Sequence, residues 1–170
     1  KLPFTVPKDA SLLPPFDNKV LAVEYGYYHG YTLAEKKGWE PRYAFGHGLS
    51  YARFEYGSLR LANERASATE GVTCEIEVSN TGERPGREVV QLYAQRCTPG
   101  VRRPLRTLAA FEKIALAPGE RRVVRFSLPP RAFSHWDTQQ NAWRAEPGEW
   151  ELAAGRSSRD LRAEARFTLE

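Results

Sequence analysis

From Tyr51 to the last residue the chain alternates apolar and polar positions with period two, and nothing between those runs repeats at 3.6 residues. Phe54 and Tyr56, then Leu59 and Leu61, mark a first strand. Val72, Cys74, Ile76 and Val78 alternate with Thr73, Glu75 and Glu77. Val90, Leu92 and Ala94 share one face of the next strand, and Val124, Phe126 and Leu128 share one face of another. Trp150, Leu152 and Ala154 follow Pro147-Gly148, and Ala163, Ala165, Phe167 and Leu169 close the chain. Asn80-Thr81-Gly82, Pro85-Gly86 and Ala117-Pro118-Gly119-Glu120 supply turns between them. About seven short strands without helices exclude parallel βαβ units. The pattern predicts two antiparallel sheets packed face to face, mainly β, an antiparallel β-sandwich of fibronectin type III or immunoglobulin-like type.

The first fifty residues have another character. Ten of the 20 aromatic residues lie between Tyr25 and Tyr56. Lys1 to Pro7 reads as a strand fragment, and residues 7–19 as a proline-bearing loop. Tyr25-Gly26-Tyr27-Tyr28-His29-Gly30-Tyr31 reads as a glycine-bounded aromatic hairpin. Thr32 to Lys37 reads as a short helical segment capped by Gly38. This part lacks the alternation needed to close a core by itself.

Charge narrows the function. Lys and Arg number 25 against 21 Asp and Glu, a net charge of +4. Arg and Glu interleave along the chain, so no basic stripe forms and no nucleic-acid partner is expected. No apolar run reaches the roughly 18 residues of a membrane helix, and no membrane partner is expected. Cys74 falls in phase with a buried strand face and reads as a buried free thiol, while Cys97 sits at a strand end. Two cysteines are too few for a disulfide framework and leave the redox compartment open. The chain has no Met and no secretory leader, which points to the C-terminal part of a longer protein.

Tyr43-Ala44-Phe45-Gly46-His47-Gly48-Leu49-Ser50-Tyr51 resembles a signature of family 3 glycoside hydrolases, which joins the second domain to a C-terminal fibronectin type III-like domain. Leu2 to Pro7, Glu24 to Tyr31 and Glu40-Pro41 resemble segments before that signature. Val89 to Tyr93, Arg103-Pro104-Leu105, Leu108 to Phe111 and Leu116 to Glu120 are similar to the family's third domain, in order. Trp136-Asp137, Trp143, Glu146-Pro147-Gly148 and Gly155 to Ser158 extend the series. His47 stands where Tyr or Phe is frequent, and Ala109-Ala110 where a Gly is common.

The resemblance implies that residues 1–50 are the C-terminal end of an α/β second domain with its linker. Residues 51–170 are then the fibronectin type III-like sandwich, buttressing the catalytic domains. It implies a β-glucosidase-like enzyme acting on non-reducing-end sugars with retention, which needs two carboxyl groups about 5 Å apart. The family's nucleophilic Asp and acid/base Glu are expected upstream, so no catalytic residue is assigned here and the segment alone is expected to be inactive. The implied partners are an oligosaccharide or glycoside substrate and the upstream barrel and α/β domains. A homodimer is compatible with the resemblance, no cofactor is expected, and the compartment stays open. The rival is a stand-alone carbohydrate-binding or adhesion sandwich.

The residues' own chemistry is sparing. Glu24, Glu35, Glu40, Asp137 and Glu146 are carboxylates, and none lies in an apolar stretch that would raise its pKa. Ser134, His135 and Asp137 are too close in sequence to assemble a triad. His29, His47 and His135 lack metal spacing, so no metal is expected. Gly46 and Gly48 fit a tight turn better than a dinucleotide loop. Of Trp136, Trp143 and Trp150, at least two are expected in the core, with a sugar-stacking platform as the alternative. Tyr25, Tyr27, Tyr28 and His29 are the substrate-lining candidates, with packing against a neighbouring domain as the other reading.

Overall fold

A computed structural model describes residues 1–170. Ten strands are present: β1 Phe54–Leu61, β2 Arg65–Ala66, β3 Val72–Asn80, β4 Gly86–Arg96, β5 Thr107–Leu116, β6 Arg121–Leu128, β7 Ser134–Asp137, β8 Ala142–Ala145, β9 Gly148–Ser157 and β10 Asp160–Leu169. One sheet has the order β1-β3-β6 and a second the order β2-β10-β9-β4-β5, with β7 and β8 as a separate ribbon. All pairings are antiparallel except β2 with β10.

The two larger sheets bury their facing apolar rows in one core. Cys74, Ile76 and Val78 on β3 sit with Val124, Phe126 and Leu128 on β6, against Val90, Leu92 and Ala94 on β4 and Leu152 and Ala154 on β9. These are the alternating positions read from the sequence, because side chains on a strand point to opposite faces in turn. In β1 the phase slips: Phe54 and Leu59 are both buried, and the register with β3 shifts between Tyr56 and Leu59. The irregularity holds Gly57-Ser58, and a bulge there returns Leu59 to the core face. Phe133, on a short turn at Pro130–Phe133, closes one end of the core edge-on against Trp150 (5.1 Å) and Phe167 (5.4 Å).

Asn80 ties two turns together from inside. Its amide donates to the carbonyls of Arg84 (2.8 Å) and Leu116 (3.2 Å) and accepts from the Gly82 N–H (3.0 Å), with the residue fully buried.

One strand and one two-stranded ribbon escape the sequence reading, and one expectation fails. β5 carries no clean alternation: Leu108-Ala109-Ala110-Phe111 is a continuous apolar run, Phe111 is exposed, and only Ile114 and Leu116 are buried. The strand therefore escapes a period-two reading. The ribbon β7–β8 also escapes it, since it carries no buried row. Finally, of the three tryptophans only Trp150 is core, at 2% exposure; Trp136 and Trp143 stand 45% and 48% exposed on that ribbon.

Parts of residues 1–50 pack on the outer face of the five-stranded sheet, through Lys1, Tyr31, Phe45 and Gly46, while residues 13–27 are exposed. Leu2 and Val6 run antiparallel to residues 43–47, through Leu2 N–H to His47 O (2.8 Å) and Val6 N–H to Tyr43 O (2.9 Å). Helix α1 spans Gly30–Lys37 and ends at Gly38, whose φ of 68° is the left-handed cap that glycine adopts without steric cost. This layer explains why β4 is buried on both faces from Val90 to Ala94.

Candidate functional site

The seam between that layer and the sandwich is held by hydrogen bonds and ion pairs among polar groups. Gln91, 3% exposed, donates from Nε2 to the carbonyls of Gly46 (3.2 Å) and Arg156 (2.6 Å) and accepts from the Tyr93 hydroxyl (2.7 Å). Gly46 has φ 78°, and a Cβ there would run into the Gln91 amide. Tyr31 on α1 stacks on Phe45 (4.9 Å), meets Tyr93 edge-on and accepts from the Leu108 N–H (3.0 Å). Ser158 N–H donates to Phe45 O, and Arg159 donates to Trp39 O (2.9 Å). Buried Glu88 faces Lys1 (2.8 Å) and Arg156 (3.7 Å).

The substrate-lining candidates lie just before α1. They form no hairpin: residues 22–29 run as irregular chain straight into a helix that opens at Gly30. The hairpin expectation fails because Gly30, at φ 53°, serves the helix entry and not a strand reversal. His29 occupies the N-cap position, where its backbone N–H donates to the Thr32 hydroxyl (3.2 Å) and its carbonyl accepts from it (2.8 Å). Tyr25 and Tyr27 are 68% and 57% exposed. Tyr28 is half-buried, meets Tyr27 edge-on (5.0 Å) and donates its hydroxyl to Arg103 O (3.2 Å).

Arg103 belongs to the loop of residues 97–106 joining β4 to β5, and Glu146 anchors that loop. Glu146 is 8% exposed; it accepts from the Val101 N–H (2.9 Å), pairs with Arg103 and faces Arg96 at 3.8 Å. Arg96 in turn donates to Thr98 O and Pro147 O, both at 2.8 Å, and Arg103 lies over the Trp150 ring (4.8 Å). A carboxylate this enclosed is stable only because it is paired and hydrogen-bonded. Nothing in the sequence around Glu146 announces this role, since its partners lie more than forty positions away.

The other carboxylates divide. Glu40 is exposed and pairs with Lys8 (2.5 Å), which lowers its pKa through a hydrogen bond and charge. Asp137 caps its own turn by accepting from the Gln139 and Gln140 N–H groups, and these bonds lower its pKa. Glu24 is exposed. Glu35 departs from expectation: its side chain is 3% exposed, burial raises its pKa, and Arg106 (3.8 Å) opposes that shift without cancelling it. The cause is tertiary, because α1 turns this residue onto the sandwich. Neither Glu35 oxygen has a hydrogen-bond partner.

Ser134 donates to Pro130 O and Asp137 pairs with Arg144 (3.3 Å), so no Ser-His-Asp relay forms. No group of three or more His, Cys, Asp or Glu side chains gathers as a metal cluster. Trp136 and Trp143 meet edge-on, 69° between planes, with Arg131 over the Trp143 ring (4.2 Å). The pair is not a flat row.

Comparison with known proteins sets this geometry in context. The fibronectin type III-like domain profile matches residues 88–158. Thermostable β-glucosidase B of Acetivibrio thermocellus is 43% identical over 141 residues, 82% of this chain and 19% of that protein. The β-glucosidase of Rhizobium radiobacter is 35% identical over 99% of this chain and 22% of its own length. The chain thus spans about a fifth of the length of these curated relatives. Among solved structures, a β-D-glucoside glucohydrolase from Trichoderma reesei superposes with a TM-score of 0.89 at 27% identity, over 100% of this chain and 26% of that one. The overlap takes in the N-terminal layer as well as the sandwich, and over its whole length the chain is similar to the C-terminal part of family 3 β-glucosidases.

Proposed function

We propose that this chain works as the C-terminal segment of a retaining, exo-acting β-glucosidase that takes glucosides or short oligosaccharides from the non-reducing end. Residues 51–170 serve as the fibronectin type III-like buttress. Residues 1–50 complete the neighbouring α/β domain and present Tyr25, Tyr27, Tyr28 and His29 toward the leaving-group side of the substrate. The observation that carries this reading is the overlap of 99–100% of the chain with only a fifth to a quarter of β-glucosidases.

The geometry agrees in three ways. The segment's enclosed carboxylates each face a cation, Glu88 with Lys1 and Arg156, Glu146 with Arg103 and Arg96, and Glu35 with Arg106, as structural ion pairs do. Its seam is polar, pre-set and closed, as a scaffold's is. Its exposed large apolar side chains crowd into the N-terminal layer, where Phe16, Leu21 and Leu49 are 66%, 108% and 93% exposed. Apolar surface of that kind marks a contact face, and the upstream domains are its occupant in this reading. A stand-alone binding module accounts for none of residues 1–50 and would want a flat aromatic row.

The test is hydrolysis of an aryl β-glucoside by the intact enzyme, by the enzyme lacking this segment, and by this chain alone. Full turnover in the first, loss in the second and none in the third is the expected set. Turnover by this chain, abolished by a change at one of its own carboxylates, overturns the proposal.

A further inference from the structure

Two cations converge on the aromatic stretch from different elements. Lys36 Nζ, from α1, lies 4.0 Å from the centre of the Tyr28 ring. Arg102, from the 97–106 loop, lies 5.0 Å from the same centre and 5.7 Å from that of Tyr27. Both side chains are exposed, and neither is paired with a carboxylate. A ring face attracts a cation through its quadrupole but does not neutralise it. Two positive charges sharing one ring repel each other, and an anion seated beside them removes that cost.

The backbone that carries Arg102 is pre-set. Glu146 accepts from the N–H of Val101 on one side and pairs with Arg103 on the other, so both neighbours of Arg102 are tied to one enclosed carboxylate. The Arg103 carbonyl also receives the Tyr28 hydroxyl. The backbone beneath Arg102 and the Tyr28 ring are therefore held relative to each other before any ligand arrives, which lowers the ordering cost of binding.

We propose that Arg102 and Lys36, with the rings of Tyr27 and Tyr28, form a binding site for an aromatic carboxylate. The exposed Tyr27 ring, edge-on to Tyr28, offers a face to its planar body, while the two cations held at Tyr28 meet its anionic end. Its use in catalysis, as a preference for glucosides with an acidic aromatic leaving group, rests on the placement of the aromatic stretch proposed above. Glu146 is then a positioning residue, and Arg102 the residue that determines specificity.

Two measurements separate the site from its placement. In the intact enzyme, the KM ratio of phenyl to para-carboxyphenyl β-glucoside should favour the carboxylate by roughly threefold to tenfold, the range for one or two exposed ionic contacts. R102Q and K36Q should each bring the ratio toward one, and about 0.5 M salt should do the same by screening. In this chain alone, titration with para-carboxyphenyl β-glucoside should shift the NMR signals of Tyr27 and Tyr28 at millimolar ligand, and R102Q should abolish the shifts. Shifts in the chain with an unmoved KM ratio keep the site and refute its placement at the leaving-group side. No shift in the chain, or a KM preference that survives R102Q, overturns the proposal.

Discussion

Replacing Gln91 by Ala should loosen the N-terminal layer while sparing the sandwich beneath it. The side chain makes three hydrogen bonds, to Gly46 O, Arg156 O and the Tyr93 hydroxyl. Arg156 O keeps a second donor in Lys1 Nζ (3.1 Å), so the Gly46 carbonyl and the Tyr93 hydroxyl are the groups left unmatched. At about 1 kcal/mol net for each bond, and somewhat more for a buried group left without a partner, the loss comes to about 2–3 kcal/mol. That loss falls on the seam, because Gln91 points away from the core that Val90 and Leu92 enter. Native-state amide exchange resolves the two regions. The Leu108 amide, bonded to the Tyr31 hydroxyl, and the Ser158 amide, bonded to Phe45 O, should exchange roughly 30- to 150-fold faster. Amides of β3 and β6 should keep their rates. Equal acceleration in β3 and β6, or none at Leu108 and Ser158, refutes the separation of seam from core.

Phe126→Ala removes a core side chain that is 5% exposed and should cost about 3–5 kcal/mol in urea unfolding; a cost below about 1 kcal/mol would mean that β6 faces the other way. Glu35 carries the pH dependence of the seam. Its folded pKa is raised by burial, so the folded state holds its proton more tightly than the unfolded chain. Docking of α1 is therefore weakened above the folded pKa and strengthens as pH falls toward the ordinary carboxylate range. Melting followed between pH 7 and 4.5 should show that gain in the wild type and a flatter profile in Glu35→Gln. Burial pushes the Cys74 thiol up to about 12, whereas Cys97 is exposed, so iodoacetamide at pH 8 should label Cys97 alone in the folded chain and both in urea. Labelling of Cys74 without unfolding would contradict the packing of β3.

Much of this fold was legible because most of its strands have one wet face and one dry one. β3, β6 and β10 show it most plainly, with Cys74, Ile76 and Val78 inward and Thr73, Glu75 and Glu77 turned away. β5 was not legible because an edge strand need not alternate: Phe111 lies outward beside Gln91, and its neighbours are small. The tryptophans misled for a related reason. Trp143 and Trp136 pair across the ribbon with each other, so their apolar rings find a partner without entering the core. Gln91 gave no signal at all, since a polar residue at an outward strand position reads as solvated until a second layer covers it. Glu35 and Glu146 are the same case among carboxylates. The aromatic candidates were legible as a composition but not as a shape, because Gly30 opens a helix where a strand turn was expected.

The most direct test of the account is Tyr28→Ala in the intact enzyme, measured for aryl β-glucoside KM, kcat and melting temperature together. Tyr28 is half-buried and gives up one hydrogen bond, to Arg103 O. If the aromatic stretch lines the leaving-group side, KM or leaving-group discrimination should worsen several-fold, in keeping with about 1 kcal/mol of ring stacking, while the melting temperature stays nearly unchanged. A much lower melting temperature with unaltered kinetics would contradict it and make these rings packing residues.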